Sequence, residues 1–187
     1  MERAKSVLII SAIALFVLLG LGAWTDARAK AQFAPGESAT ATKEEVREVL
    51  GFFDALEEAV VREDLDAVMD FYSEKYQHLG IQKSVVRSLW ENIFEKYDNI
   101  KSAHAFTKMV IVDDEGLVVC TGTLLGVPAG SKDSRHVTID SWVEQNHYIL
   151  KTKGSWKIVG GSSHRMMEDK SLAGKDKERQ LGFHPLY

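Results

Sequence analysis

Residues 53–68 have the sequence FDALEEAVVREDLDAV. Apolar residues recur through this stretch, and through the residues just before it, at a spacing close to 3.6, which predicts a helix with one apolar face. Thr42, followed by Glu45 three residues later, forms a capping-box pattern that starts this helix. Asp64 is placed to cap a short second helix. The apolar face consists of Val46, Val49, Leu50, Phe53, Leu56 and Val60.

A third helix is predicted to begin near Ser84, where the periodic signal is the strongest in the chain. Its apolar stripe consists of Val86, Leu89, Trp90, Ile93, Phe94 and Tyr97. From about residue 104 the pattern changes to β-branched and aromatic segments with turn residues between them. Strands are predicted at residues 104–112, 117–125, 136–152 and 156–162. Three helices followed by hairpin-linked strands predict an α+β domain with the helices on one face of an antiparallel sheet.

The order of these elements resembles the nuclear transport factor 2-like superfamily, including its SnoaL-like branch. In that family an acidic helix leads to a second helix of the type D-L-D-A-V, as in residues 53–68. Residues 153–161 (KGSWKIVGG) are similar to the family's final hairpin, and residues 114–122 resemble its strand after an acidic glycine turn. The resemblance covers roughly residues 44–163.

The resemblance implies a curved antiparallel sheet that wraps around the three helices as a cone, with a pocket at the wide end. It also implies a homodimer formed through the outer face of the sheet. The family contains isomerases, dehydratases, cyclases and many domains without catalysis, so the fold does not define the function. The expected organisation is a linker at 32–43, the domain at 44–164 and a charged C-terminal tail at 165–187.

The N-terminal segment has the pattern of an export signal. Arg3 and Lys5 precede an uncharged apolar run of 17 residues between Val7 and Ala23. Two A-x-A-like cleavage sites follow, at residues 27–29 and 29–31. The run is also close to the length of a membrane-spanning helix. We therefore expect a cleaved signal peptide or a membrane anchor, and either would place the domain outside the cytoplasm, in the periplasm or cell envelope.

Composition and charge exclude several classes of protein. The chain has 187 residues, 45% of them hydrophobic, and a formal net charge of -4. Residues 32–187 carry 19 basic and 25 acidic residues, a formal charge of -6. No basic stripe is visible, which argues against nucleic-acid binding. Cys120 is the single cysteine, so an intrachain disulfide is excluded, and we expect a buried, inert thiol.

The candidate catalytic residues are His78, Asp140 and His147. Proton transfer next to a carbonyl group needs an acid–base side chain and a donor for the developing oxyanion. A His/Asp pair of the kind implied by the SnoaL-like cyclases could form between Asp140 and either histidine. The chain lacks two features of the ketosteroid isomerase pattern, a Tyr in the first helix and an Asp between Asp70 and Asp98.

The candidate ligand-pocket residues lie on the second helix, the third helix and the long strand. Strand alternation predicts that Asp140, Trp142, Glu144 and Asn146 share one face, which points either into the cone or outward. Trp90 could line a pocket but also belongs to a core stripe. The six histidines lack the spacing of a helical metal site, and we expect neither a metal nor a cofactor. The pocket set is Tyr72, Trp90, Trp142, Glu144 and Asn146.

Three functions remain open at this point. The leading one is an exported or membrane-tethered, non-catalytic domain that binds a small apolar ligand or a partner protein. The second is a SnoaL-like cyclase, hydratase or isomerase with a His/Asp acid–base pair. The third is an assembly subunit of an envelope complex.

Overall fold

The structure, a computed structural model, describes residues 32–78 and 80–160, and the side chains from residue 39 onward. The predicted signal or anchor segment and the predicted C-terminal tail lie outside these residues. Within the described ranges, no helix has both the length and the apolar character needed to cross a membrane.

The three predicted helices are confirmed as α1 (Lys43–Val61), α2 (Leu65–Asp70) and α3 (Lys83–Lys96). The capping box at the start of α1 is complete. The Glu45 N–H donates to Thr42 Oγ1 at 3.2 Å, and the Thr42 N–H donates to the Glu45 carboxylate at 2.7 Å. Asp64 caps α2 by accepting from the Ala67 N–H at 3.1 Å.

The strands are β1 (Gln32–Thr40), β2 (Gln77–His78), β3 (Ile81–Gln82), β4 (Tyr97–Val112), β5 (Glu115–Pro128), β6 (Val137–Thr152) and β7 (Ser155–Ile158). Five of them form one sheet in the order β1-β4-β5-β6-β7, and β2 pairs with β3 in a small second sheet. Neighbouring strands of the large sheet run antiparallel except β1 and β4. The domain is therefore α+β, with a mostly antiparallel sheet.

Strand β1 occupies most of the stretch that was expected to be a linker. It pairs in parallel with β4, and its register shifts between Phe33 and Ser38. Pro35 and Gly36 lie within this irregularity. β1 is an edge strand, where a proline can be accommodated because the missing N–H need not join a ladder. Turn-forming residues therefore did not prevent strand pairing here.

The helices pack on one face of the large sheet, which we call the inner face. Phe53 of α1 contacts Phe106 of β4 and His147 of β6, with ring centroids 4.9 and 5.6 Å apart. Both Phe53 and Phe106 are fully buried. The α1 face read from the sequence is thus the one that covers the sheet.

A bulge in β6 changes which of its residues reach the inner face. Cys120 of β5 lies opposite Gln145, whereas Gly122 lies opposite Trp142, so two β6 residues oppose Thr121. Glu144, one of the two, has a φ of 50°. An extra residue reverses the alternation of a strand beyond it. Trp142 and His147 are therefore both buried on the inner face, and the predicted single face of Asp140, Trp142, Glu144 and Asn146 is wrong.

Candidate functional site

The buried polar side chains of the described residues are concentrated at one place in the fold. They are Glu57, Ser102, His104 and His147, each at most 6% exposed. Glu57 is on α1, Ser102 and His104 are on β4, and His147 is on β6, with β5 between these two strands. Cys120 and Trp142 lie among them and are also buried. We call Glu57, His104, Cys120, Trp142 and His147 the buried cluster.

One half of the buried cluster is a carboxyl–imidazole pair. Nδ1 of His104 forms a short hydrogen bond with Oε1 of Glu57. The second carboxyl oxygen, Oε2, has no hydrogen-bond partner among the described residues. This contact fixes the ring orientation of His104 and leaves Nε2 as the nitrogen that can act on another group.

The other half is centred on a thiol. Cys120 Sγ lies 2.8 Å from Nε2 of His147, and it accepts a hydrogen bond from the Trp142 indole N–H at 3.1 Å. Cys120 is therefore buried, as expected from the sequence, but it is not surrounded only by apolar groups. It sits between a ring nitrogen and a ring N–H donor.

Aromatic rings join the two halves. The His104 ring stacks on Phe106, with 5.9 Å between centroids, and lies 5.0 Å from the Trp142 ring. The rings of His104 and His147 are 6.2 Å apart. The five side chains thus form one continuous group rather than two separate contacts.

Burial shifts the protonation equilibria of the buried cluster toward neutral forms. It raises the pKa of Glu57 well above its usual range, and the nearby charge of Asp54 adds to this shift. It lowers the pKa of His104. Burial likewise raises the pKa of the Cys120 thiol, against the opposing hydrogen bond from Trp142. Without a bound ion, the cluster is a neutral, hydrogen-bonded group in an apolar interior.

Three members of the cluster have the chemistry and the proximity of metal ligands. One ligand atom from each of His104, Cys120 and His147 lies within 4.8 Å of the others. The three residues do not have the spacing of a helical metal site, because they come from β4, β5 and β6 rather than from one helix. Only the sheet register brings them together.

Of the predicted catalytic residues, His147 is in the buried cluster. Asp140 is on the same strand seven residues away, and at about 3.3 Å per residue the two lie roughly 20 Å apart. The structure therefore does not form a His147–Asp140 pair. His78 is on β2, half-buried, beside Gly160, and burial lowers its pKa.

The predicted ligand-pocket residues are divided between different surroundings. Tyr72 and Trp90 are fully buried in the core, where the Trp90 indole N–H donates to Tyr72 Oη at 3.3 Å. Trp142 belongs to the buried cluster. Glu144 is exposed at the bulge, and Asn146 pairs with Val119 on the opposite face of the sheet.

Sequence reasoning missed Glu57 and His104. A usable signal exists for Glu57, because it follows Phe53 by four residues and precedes Val60 by three. These spacings place it on the apolar face of α1. His104 lies two residues before the buried Phe106 on β4, and residues two apart on a strand share a face. This spacing gives a weaker indication that His104 points inward.

An open groove of about 660 Å³ lies beside α2, β3 and α3. It contains none of the predicted site residues. Two of its cationic side chains form ion pairs, Lys83 with Glu74 at 2.6 Å and Arg87 with Asp66 at 2.7 Å. The buried cluster is the stronger candidate because it combines buried polar groups with possible ligand atoms.

Solved structures show which fold this is. The chain is similar to a proposed aromatic ring hydroxylase from Novosphingobium aromaticivorans, with a TM-score of 0.53 and 20% identity over 64% of this chain and 87% of that one. It is similar to a proposed dehydratase of the NTF2-like family from Streptomyces avermitilis, with a TM-score of 0.51 and 17% identity over 64% and 95% of the chains. A ketosteroid isomerase-like protein from Erwinia carotovora atroseptica matches with a TM-score of 0.50 and 16% identity over 64% and 94%.

These similarities establish the nuclear transport factor 2-like fold that the sequence resemblance implied. The fold is shared by ligand-binding and enzymatic proteins. No protein-family model matches the sequence, and no curated protein matches it.

Proposed function

We propose that the domain is an enzyme that removes water from a small organic substrate or shifts a proton on it, with the buried cluster as its reactive centre. The observation that carries this proposal is the convergence of the buried polar side chains of the described residues on one part of the inner face. Burying such groups costs free energy. Their concentration in an otherwise apolar core is more readily explained by a function than by packing.

The chemistry of such reactions matches the groups present. Elimination of water and movement of a double bond both need a group that takes or gives a proton and a group that stabilises charge on an oxygen. The cluster contains a carboxyl group, two imidazoles, a thiol and an indole N–H. The dehydratase and isomerase names carried by proteins of the same fold support this reaction class.

The test pairs two adjacent glutamates of α1. The purified full chain is incubated with a panel of β-hydroxy ketones and β,γ-unsaturated ketones, and formation of the conjugated enone is followed by ultraviolet absorbance. Glu57→Gln should lower the rate roughly 100-fold, as expected for loss of an acid–base contribution. Glu58→Gln, at the exposed neighbouring position, should leave the rate unchanged.

If panel compounds bind, as detected by native mass spectrometry, but none is converted, the result contradicts the enzyme proposal. It would favour the non-catalytic ligand-binding function instead. Circular dichroism of both variants checks that they fold alike.

A second candidate is binding of a partner protein, including a second copy of the chain. The observation that favours it is a small apolar group on the face of the sheet opposite the buried cluster. Val110 and Leu117 are covered within the single chain, where Tyr148 packs against them, but Val112, two residues from Val110 on the same strand, is exposed. The proposals of export and of membrane tethering are supported by the N-terminal sequence pattern alone.

A further inference from the structure

We infer that His104, Cys120 and His147 hold one zinc-type transition-metal ion, and that this ion is the charge-stabilising group of the buried cluster. The inference rests on the proposed function for the role of the ion, but its binding stands on geometry alone.

The first support is the spacing of the ligand atoms. One atom of each residue lies within 4.8 Å of the others. In a tetrahedral zinc site, with Zn–N of about 2.1 Å and Zn–S of about 2.3 Å, ligand atoms lie roughly 3.5 Å apart. The upper limit of 4.8 Å on the observed separations is therefore close to the spacing of a tetrahedral site.

The second support is the choice of ligand. Two imidazoles and a thiolate suit zinc, copper or cobalt, whereas magnesium and calcium take oxygen ligands. Binding breaks the Cys120 S–H bond and forms the sulfur–metal bond, and the proton is released to solvent. Three protein ligands leave a fourth tetrahedral position for water or a substrate oxygen, as in catalytic zinc sites.

The third support comes from the groups that contact the ligands. Glu57 binds Nδ1 of His104, which is the usual carboxylate–histidine arrangement behind a metal-bound imidazole. The Trp142 indole N–H donates to Cys120 Sγ at 3.1 Å, which stabilises negative charge on sulfur. Each contact orients one of the ligand side chains.

The fold explains how the residues meet. His104 lies opposite Gly122 in the β4–β5 register, and Trp142 lies opposite the same glycine in the β5–β6 register. A side chain at Gly122 would collide with Trp142. The bulge at Glu144 then returns His147 to the inner face. Three adjacent strands thereby deliver one ligand each.

The test uses cobalt as a spectroscopic probe. The purified full chain is freed of metal with a chelator under unfolding conditions and refolded with Co²⁺, because the ligands are buried. We expect one ion per chain, the near-ultraviolet charge-transfer band of a cobalt thiolate and strong visible bands of tetrahedral coordination. Cys120→Ser should abolish the charge-transfer band, and His147→Gln should weaken binding at least 100-fold.

Two variants serve as controls and refine the assignment. His78→Gln removes a histidine outside the buried cluster and should leave the spectrum unchanged. Glu57→Gln should retain the bands but weaken binding 10- to 100-fold, as expected for a residue that positions a ligand. Loss of the bands on His78→Gln, or their persistence in Cys120→Ser, would contradict the site.

A measurement on the unaltered chain keeps the inference falsifiable if a variant fails to fold. Zn²⁺ present during refolding should raise the Tm and yield one bound zinc per chain by elemental analysis. Refolded protein that binds neither Zn²⁺ nor Co²⁺ overturns the inference. Metal readouts need no substrate, so metal binding without turnover refutes only the proposed enzyme function. Turnover by metal-free protein refutes only the role of the ion in that reaction.

Discussion

At the scale of single residues, Asp140 shows how partial burial of a carboxylate affects stability. Its carboxylate accepts a hydrogen bond from the Ser141 N–H at 2.7 Å, but partial burial outweighs this contact and raises its pKa. The charged form is therefore less favourable in the folded protein than in the unfolded chain. Asp140 costs stability wherever the unfolded chain would ionise it.

Replacing Asp140 with Asn should consequently raise the Tm at pH 7, because Asn keeps the acceptor oxygen and removes the buried charge. The loss of stability appears as the pH rises from the pKa of Asp140 in the unfolded chain toward its raised pKa in the folded protein. The gain should therefore disappear at low pH, where aspartate is protonated in both states. Thermal unfolding of both proteins between pH 3 and pH 8 measures this, and a gain that is independent of pH would contradict it.

For Cys120 and Glu57, the sequence predicted some properties but not the contacts that define the buried cluster. Cys120 was correctly expected to be buried, since its neighbours form a β-branched strand. Its contacts with His147 and Trp142 depend on strand register, which no short-range pattern encodes. Glu57 and its exposed neighbour Glu58 are the same residue type, and only the position of Glu57 on the helical stripe distinguishes them.

At the scale of elements, the helices were predictable because each combines a 3.6-residue apolar period with a local start signal. Thr42 and Glu45 form the expected capping box, and Asp64 caps α2. The extent of strand β6 could be predicted, but which of its side chains reach the inner face could not. At its bulge, Glu144 has a positive φ, and glutamate is not a residue type that indicates this conformation.

Two glycines of different elements should respond oppositely to alanine. At Gly122 a Cβ would meet the Trp142 indole ring and the Ala103 carbonyl oxygen, so Gly122→Ala must displace the strand or the indole. We expect a loss of about 1–3 kcal/mol in the free energy of unfolding. Denaturant titration measures it, with Trp fluorescence reporting the displaced indole.

The matched control is Gly51→Ala in α1. A Cβ there meets nothing within 4 Å, and the position is exposed within a helix. Alanine should stabilise the protein by about 0.5–1 kcal/mol because it restricts the unfolded chain. Equal effects of the two substitutions would show that the close approach at Gly122 does not hold Trp142 in place.

At the scale of the whole molecule, the resemblance predicted the arrangement of helices on a mostly antiparallel sheet. It did not predict β1, which adds a parallel edge strand from residues expected to form a linker. The reason is that β1 forms only because the edge of β4 is open to pairing, whereas the composition of residues 32–40 indicates turns. Two proposals at this scale, export and self-association, can each be tested directly.

Residues 1–31 should direct export, because a basic start precedes the uncharged run of 17 residues and small residues follow it. Fusing them to a reporter that is active only outside the cytoplasm should give activity. Replacing two leucines within the run by arginine should abolish that activity, because charge in the apolar segment opposes membrane insertion. An active reporter after this replacement would contradict the export signal.

The chain should self-associate through the sheet face opposite the buried cluster. Val119 lies at the centre of that face, opposite Lys108 and Asn146, and is two residues from the apolar group around Leu117. Val119→Asp introduces a carboxylate that a dimer interface would have to remove from water, and this desolvation costs free energy even with Lys108 opposite. Sedimentation velocity should therefore change from dimer to monomer. Val85→Asp, at an exposed valine of α3, should leave the dimer intact, and a monomeric unaltered chain would refute the interface.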